Sequence, residues 1–139
     1  MENHTQRHLH NFSFLGPRGL ANEVGRAQES ITAVTGIRPL FFRAPAGLRN
    51  PFLDAVLARL ELQLASWTRR GFDTVRRDAA GVLGKLTRNL GGGDILLLHD
   101  GHAARNRSGQ PIVLEVLPQL LSAVAAAKLH PITLRAALT

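Results

Sequence analysis

Two histidines near the start of the chain could share a metal ion. His4 and His8 are four residues apart, so on a turn of helix both imidazoles would face the same way. Neutral imidazole is a preferred ligand of zinc and of neighbouring divalent ions. Two ligands are fewer than the three that catalytic zinc sites typically use. The alternative interpretation is a histidine-rich terminus, to which His10 also belongs.

Three other side chains that could take part in chemistry stand at the ends of apolar segments. Arg43, Trp67 and His99 each end or follow a run that the apolar pattern marks as a strand. In parallel α/β folds, catalytic groups collect at the carboxyl ends of the strands. We therefore expect Arg43 and His99 to line one cavity together with His4 and His8.

Alternating helices and strands are expected to position these residues. Apolar residues at three- and four-residue spacing predict a helix over residues 21–35, and Gly36 is typical of its C-terminus. Pro118 either kinks the last helix or starts a second helical segment. Further helices are predicted over residues 51–60, 75–90 and 111–128, strands over residues 39–43, 62–67, 95–98 and 131–135, and a polar loop over residues 68–73. The alternation indicates an α/β fold with a parallel sheet.

Composition excludes several classes of protein. The 139 residues suit one domain, 45% of them are hydrophobic, and no apolar run approaches the roughly 20 residues of a membrane helix. The first ten residues lack the apolar core of a secretory signal. Because the chain has no cysteine, disulfides, thiolate metal sites and a cysteine nucleophile are all excluded.

The chain is basic, with a net charge of +7. This charge favours anionic neighbours such as phosphates, acidic glycans or anionic lipid surfaces. The arginines are scattered, and the six phenylalanines and one tryptophan do not interleave with a basic tract as a single-strand-binding surface requires. A solvated basic surface is therefore expected, without a specific nucleic-acid partner, although charge alone leaves duplex binding open.

The segments HTQRH, RAPAG and LLHD, in this order, resemble motifs of the polysaccharide deacetylase family, the carbohydrate esterases of NodB type. The first segment resembles H-[ST]-x-x-H, which implies that His4 and His8 bind a divalent metal and that Thr5 braces their loop. The metal implied by this resemblance is zinc, with cobalt or another divalent ion as the alternative.

RAPAG, residues 43–47, is similar to the family motif R-x-P-[YF]-G. The resemblance implies that the guanidinium fork of Arg43 orients the catalytic base, and that a backbone amide of the turn helps to hold the developing oxyanion. Ala46 is assigned to the substrate site by this resemblance, but it stands where an aromatic residue is usual. The alternative is an arginine that follows a strand and a structural turn.

Two later motifs of the family have counterparts here. The resemblance implies that Trp67 lines the apolar side of the site and that Asp73 tunes the catalytic histidine. It also implies that Leu97 shapes the pocket for the acetyl methyl group and that His99 is the general acid, a role that suits imidazole. The alternatives are a core tryptophan, an aspartate that caps a helix starting near Thr74, and a histidine held by backbone at a strand end.

The opening T-F-D-D motif of the family is absent, since only three residues precede His4. In the family this motif supplies the catalytic base and a metal ligand; here Glu2 is terminal and Glu23 is expected to begin a helix. We therefore expect a weakly bound metal and an N-terminally truncated NodB-like domain over residues 1–139. Its fold would be a partial (β/α) barrel without the first strand or strands, with an open sheet edge that favours self-association.

The function implied by the resemblance is metal-dependent hydrolysis of N-acetyl groups, with O-acetyl groups as the alternative, on an acetylated glycan or lipid-linked sugar. Because no base is present, we expect very low or no turnover from this chain. The hypothesis from another class is a non-catalytic deacetylase remnant that binds glycan or a protein partner.

Overall fold

Two pairs of short parallel strands form the sheets of the protein. The structure is a computed structural model that describes residues 1–138. Strand β1 (Phe41–Phe42) pairs with β2 (Gln63–Leu64), and β3 (Arg69–Arg70) pairs with β4 (Leu96–Leu97). Parallel strands joined by helices confirm the α/β class. The chain divides into two units, each with its own core.

The first unit consists of residues 1–66 and 134–138. Its helices are α1 (Pro17–Thr35), α2 (Leu53–Arg59), α5 (Leu134–Leu138) and two single 3-10 turns, Phe12–Phe14 and Pro45–Gly47. Helix α1 ends where Gly36 takes a left-handed φ of 69°, as the sequence predicts. Asn3 lies beside β1 and forms a parallel bridge with Phe42. The buried core comprises Phe12, Leu20, Val24, Phe42, Ala44, Leu53, Val56, Leu57 and Leu62.

The second unit is Trp67–Thr133. Its helices are α3 (Ala79–Thr87) and α4 (Ile112–Ala126). Apolar residues at four-residue spacing bury one face of α4 in a core that it shares with α3, and these residues are Ile112, Val116, Leu120 and Val124. Pro118 lies on the exposed side of α4, which continues through it as one helix.

Three elements differ from the predictions. The strand predicted over residues 131–135 is wrong: Leu134 and Arg135 begin α5, and an apolar run this short does not distinguish a strand from a helix. The predicted loop over residues 68–73 contains β3. Helix α3 begins at Ala79 because the Asp78 carboxylate accepts the Gly81 amide at 2.5 Å and caps the helix there.

The other helices, α1, α2 and α4, lie where the apolar pattern predicts them. Within residues 1–138, no helix combines the length and the apolar character that crossing a membrane requires. A single domain over residues 1–139 stays a prediction.

Candidate functional site

The two N-terminal histidines meet in a loop and not on a helical turn. Residues 4–8, which we call the histidine loop, contain no helix, so the premise of a helical turn is wrong. The imidazole centroids of His4 and His8 are nevertheless 4.8 Å apart, with the ring planes at 68°. Thr5 and His8 take left-handed φ angles of 70° and 50°. Such angles cost roughly 1–3 kcal/mol each in residues other than glycine, so other contacts must hold them.

Hydrogen bonds from neighbouring side chains hold the histidine loop. The Thr5 hydroxyl accepts the amide of His8 at 3.0 Å, and the Asn3 side-chain oxygen accepts the amide of Thr5 at 3.1 Å. His4 Nδ1 lies 2.7 Å from the backbone carbonyl of Arg43. A carbonyl only accepts, so Nδ1 carries the hydrogen, and in the neutral ring the lone pair is on Nε2. Metal-binding histidines are commonly oriented by such a bond.

The donor set of the histidine loop fits a divalent transition ion, because neutral imidazoles are suitable ligands for zinc. Both rings are exposed. Within residues 1–138, no group of three or more histidine, cysteine, aspartate or glutamate residues is placed to hold a metal. The loop therefore offers two ligands of the three that a catalytic zinc site typically has.

Arg43 follows β1 directly and extends its guanidinium alongside the protein backbone. Its Nη2 donates to the carbonyl of Ser66 at 3.2 Å. Its Nε is buried and has no hydrogen-bond partner among the residues that the structure describes. Burial lowers the pKa of Arg43 from its usual value. A buried donor of this kind is suited to a carboxylate acceptor.

The turn after Arg43 is a single turn of 3-10 helix, Pro45–Gly47. Ala46 takes a left-handed φ of 53° within it, and Gly47 follows with a φ of 72°. The amide of Gly47 donates to the carbonyl of Ala44 at 2.9 Å, and the amide of Leu48 to that of Pro45 at 3.1 Å. The side chain of Ala46 is exposed.

In the second unit, the buried Asp73 and the half-buried His99 form an acid–imidazole pair. The Asp73 carboxylate is fully buried, and Oδ1 lies 2.9 Å from His99 Nδ1. Its Oδ2 accepts the backbone amide of His99 at 2.7 Å. Asp73 therefore does not cap a helix, and it orients an imidazole whose other nitrogen is Nε2. An imidazole held this way can give or take a proton at Nε2.

Trp67 and Leu97 lie in the same unit as this pair. Leu97 belongs to β4, two residues before His99, and is buried. Trp67 is half-buried and lies outside the buried core cluster, so it is not a core tryptophan. The Arg70 guanidinium carbon lies 5.8 Å from the Trp67 ring centroid and 4.8 Å from that of Phe72. These are cation–π distances.

Sequence reasoning missed Glu23. It lies well inside α1, since that helix begins at Pro17, and its side chain is only 1% exposed. The Glu23 carboxylate binds Arg7, inside the histidine loop. The signal in the sequence was a charged residue within the apolar stripe that contains Leu20, Val24 and Ala27.

Comparison with known proteins supports the family resemblance. A family model described as polysaccharide deacetylase matches residues 1–65. A search of curated proteins gives no match. Among solved structures, the chain is similar to a family 4 carbohydrate esterase from Streptomyces lividans in complex with acetate, with 27% sequence identity and a TM-score of 0.79. That similarity covers 92% of this chain and 62% of the esterase chain.

Two further solved structures show the same fold. The Bc1960 peptidoglycan N-acetylglucosamine deacetylase is 18% identical with a TM-score of 0.82, over 96% of this chain and 60% of that chain. BA3943, a pseudoenzyme of carbohydrate esterase family 4 from Bacillus anthracis, is 18% identical with a TM-score of 0.77, over 91% of this chain and 41% of that chain. The chain thus spans less than two thirds of the length of each of these three proteins.

The family match over residues 1–65 and the shared fold support the resemblance to the polysaccharide deacetylases of carbohydrate esterase family 4. The solved structures that the chain resembles include a carbohydrate esterase and a peptidoglycan N-acetylglucosamine deacetylase. The family also includes a pseudoenzyme.

Proposed function

We propose that the chain takes part in metal-dependent removal of acetyl groups from a glycan, with N-acetyl groups as the expected substrate and O-acetyl groups as the alternative. The observation that carries this proposal is the pairing of the His4 and His8 rings at 4.8 Å, with His4 oriented by the Arg43 carbonyl. An acetylated polysaccharide or a lipid-linked sugar is the proposed partner. The relationship to carbohydrate esterases supports this substrate class.

His4 and His8 are the proposed metal ligands, with zinc as the expected ion and cobalt or another divalent ion as the alternative. When bound, such an ion acts as a Lewis acid that polarises the acetyl carbonyl. With two protein ligands, the ion is expected to bind weakly.

His99 is the proposed general acid, which protonates the departing amine from Nε2. Asp73 holds the opposite ring nitrogen, Nδ1, at 2.9 Å and so sets the orientation and the tautomer of the ring. Leu97 and Trp67 are proposed to form apolar surfaces for the acetyl group and the sugar. The buried position of Leu97 and the half-buried position of Trp67 support these assignments.

Arg43 is proposed to orient a carboxylate base through its buried Nε–H, which has no acceptor within residues 1–138. No residue of this chain is assigned as that base. The amide of Ala46 is proposed to contribute to the oxyanion hole, because the amides of Gly47 and Leu48 are both used inside the turn. A partial (β/α) barrel around these residues remains part of the proposal.

A second candidate function is binding of a glycan or a protein partner without turnover. The fold that the chain shares with a pseudoenzyme of the same family supports it. Self-association through a sheet edge would be one form of such binding. Size-exclusion chromatography with light scattering separates these cases, since a clean monomer argues against edge pairing.

Zinc titration followed by NMR tests the metal site directly. We expect the imidazole Cε1–H signals of His4 and His8 to shift together, and those of His102 and His130 to stay in place. His4→Ala or His8→Ala should abolish the shifts. The matched control is His10→Ala, an exposed histidine two residues beyond the histidine loop, which should leave them unchanged. Shifts that survive His4→Ala contradict the assignment.

Deacetylation of an acetylated chitooligosaccharide tests the level of activity. We expect acetate release with added zinc or cobalt to stay at or near the background, because no carboxylate base is assigned. Binding of the oligosaccharide should still be measurable as shifts of the Trp67 indole signal. Rapid metal-stimulated release, lost in His99→Ala, would show instead that the chain supplies its own base.

A further inference from the structure

Three polar side chains are buried in the first unit around the histidine loop. Asn3 is 1% exposed, Glu23 is 1% exposed and Gln28 is 3% exposed. Buried polar groups are unfavourable unless they are hydrogen-bonded, and a buried carboxylate needs partners most of all. Their partners therefore indicate what these side chains are arranged to hold.

Glu23 makes four contacts with two consecutive residues of the histidine loop. Its backbone carbonyl accepts the amide of Gln6 at 3.2 Å. Its carboxylate accepts the amide of Arg7 at 3.1 Å through Oε2 and the Arg7 Nε–H at 2.7 Å through Oε1. The same Oε1 lies 2.7 Å from Arg7 Nη2. Both main-chain and side-chain groups of the loop are thus held by one residue of α1.

Asn3, the residue before the histidine loop, is also hydrogen-bonded to α1. The side-chain amide of Asn3 donates to the Val24 carbonyl and to Gln28 Oε1, each at 2.9 Å. Gln28 in turn donates to the carbonyl of Pro39 at 2.8 Å. One face of α1 therefore contacts the chain on both sides of His4 and immediately before His8.

We propose that Glu23, acting through Arg7, is a positioning residue that holds the histidine loop in the shape that brings His4 and His8 together for a divalent ion. The left-handed angles at Thr5 and His8 need such support. The inference rests on the proposed metal-binding function, and Glu23 itself is not placed as a ligand.

Glu23→Gln in the full 139-residue chain tests this role. The substitution keeps the size of the side chain, but it removes the charge and places an amide donor opposite the N–H groups of Arg7. We expect zinc affinity, measured from the His4 and His8 NMR shifts, to fall about 10- to 100-fold. The matched control is Glu29→Gln on the same helix, where the glutamate is exposed, and its affinity should equal that of the unaltered chain.

The outcomes separate this inference from the proposed function. If the unaltered chain binds zinc and Glu23→Gln binds it equally well, the positioning role is overturned. If the unaltered chain shows no zinc-dependent shifts, the proposed metal site fails. The positioning role is then decided by the nuclear Overhauser contact between the His4 and His8 rings. Loss of this contact in Glu23→Gln, with retention in Glu29→Gln, supports the role, whereas its retention in Glu23→Gln or its absence from the unaltered chain overturns it.

If Glu23→Gln does not fold, a second variant tests whether the contact between Glu23 and Arg7 positions the histidine loop. Arg7 is more than half exposed, so Arg7→Lys places no new group in the core. Lysine replaces the two-pronged guanidinium contact with a single ammonium while the backbone amide of residue 7 keeps its bond to Oε2. We expect zinc affinity to fall in the same direction but less, and an unchanged affinity would overturn the role of the Arg7 side chain.

Discussion

The histidine loop and the Asp73–His99 pair orient their imidazoles in two different ways. In the pair, one fully buried carboxylate binds both the ring and the backbone amide of a single histidine. In the histidine loop, both rings are exposed, and their support comes from backbone groups and from α1. The single imidazole beside the strand end is oriented by one residue, whereas the two imidazoles of the histidine loop depend on hydrogen bonds from several residues.

The largest effect is expected from removing a large side chain from the buried core of the first unit. Phe42 is fully buried, and its ring centroid lies 5.8 Å from that of Phe12. Phe42→Ala should lower the free energy of unfolding by about 3–5 kcal/mol and speed amide hydrogen exchange in residues 3–8. Phe14→Ala is the control, because Phe14 is 87% exposed, and it should change stability by less than about 0.5 kcal/mol. Equal effects of the two variants on stability would contradict the conclusion that Phe42 belongs to the core that supports the histidine loop.

Asp73→Asn tests the Asp73–His99 pair. An asparagine presents its amide donor to one of the two N–H groups that the carboxylate accepts from His99. We expect a loss of about 1–3 kcal/mol in chemical denaturation and a changed tautomer of His99 by 15N NMR. Asp100→Asn, at the neighbouring exposed aspartate, should change neither. A His99 tautomer that persists in Asp73→Asn would argue that the backbone alone orients the ring.

Acid should weaken the second unit through Asp94. Hydrogen bonds from the Thr68 hydroxyl, the Gly91 amide and Arg69 lower the pKa of Asp94 from 3.8 to about 2. Because the pKa in the folded state is depressed, the stabilisation is complete above the unfolded value of 3.8 and is lost as the pH falls towards 2.

Unfolding measured by Trp67 fluorescence across this pH range checks the effect of Asp94. The unaltered chain should lose stability, and Asp94→Asn should remove part of that slope. Asp54→Asn, at an exposed aspartate of the first unit that pairs with Arg49, is the control and should retain the slope. An unchanged slope in Asp94→Asn would assign the acid sensitivity to other carboxylates.

The smallest effect is expected at the turn after Arg43. Ala46 has a φ of 53°, so Ala46→Gly should relieve backbone strain and raise stability by roughly 0.5–1 kcal/mol, after the extra entropy of glycine in the unfolded chain is counted. Ala44→Gly is the matched control, since Ala44 has a φ of −72° and is buried. It should lower stability, and a gain in both variants would contradict the strain argument.

Local pattern predicted the longer elements well. Helix α1 follows from the spacing of its apolar residues and from the glycine that ends it, and α4 from a repeat at Ile112, Val116, Leu120 and Val124. The strands are only two residues long, too short for a period-two pattern. β3 consists of Arg69 and Arg70, which polarity marks as a loop, and becomes a strand through its pairing with β4. Tertiary pairing thus overrode local preference there.

The site could be predicted as a set of residues but not as a set of contacts. The structure brings His4 close to His8, and Asp73 close to His99. The motif resemblance had singled out all four residues. The catalytic and binding roles of these residues, and the convergence of His4, His8, Arg43 and His99 on one cavity, stay predictions. Sequence reasoning did not find the role of Glu23, because its partner Arg7 is 16 residues away along the chain.

The amino-acid order by itself determined the α/β class, the principal helices and the residue types that suit metal binding and proton transfer, because these depend on neighbours within a few positions. Only the tertiary structure decided between the two interpretations of Asp73, because it places the carboxylate beside an imidazole 26 residues later. It also showed that Glu23 lies inside the protein. The physical reason is that burial and long-range hydrogen bonds depend on which distant segments pack together. The spacing of residues within a short segment does not specify that packing.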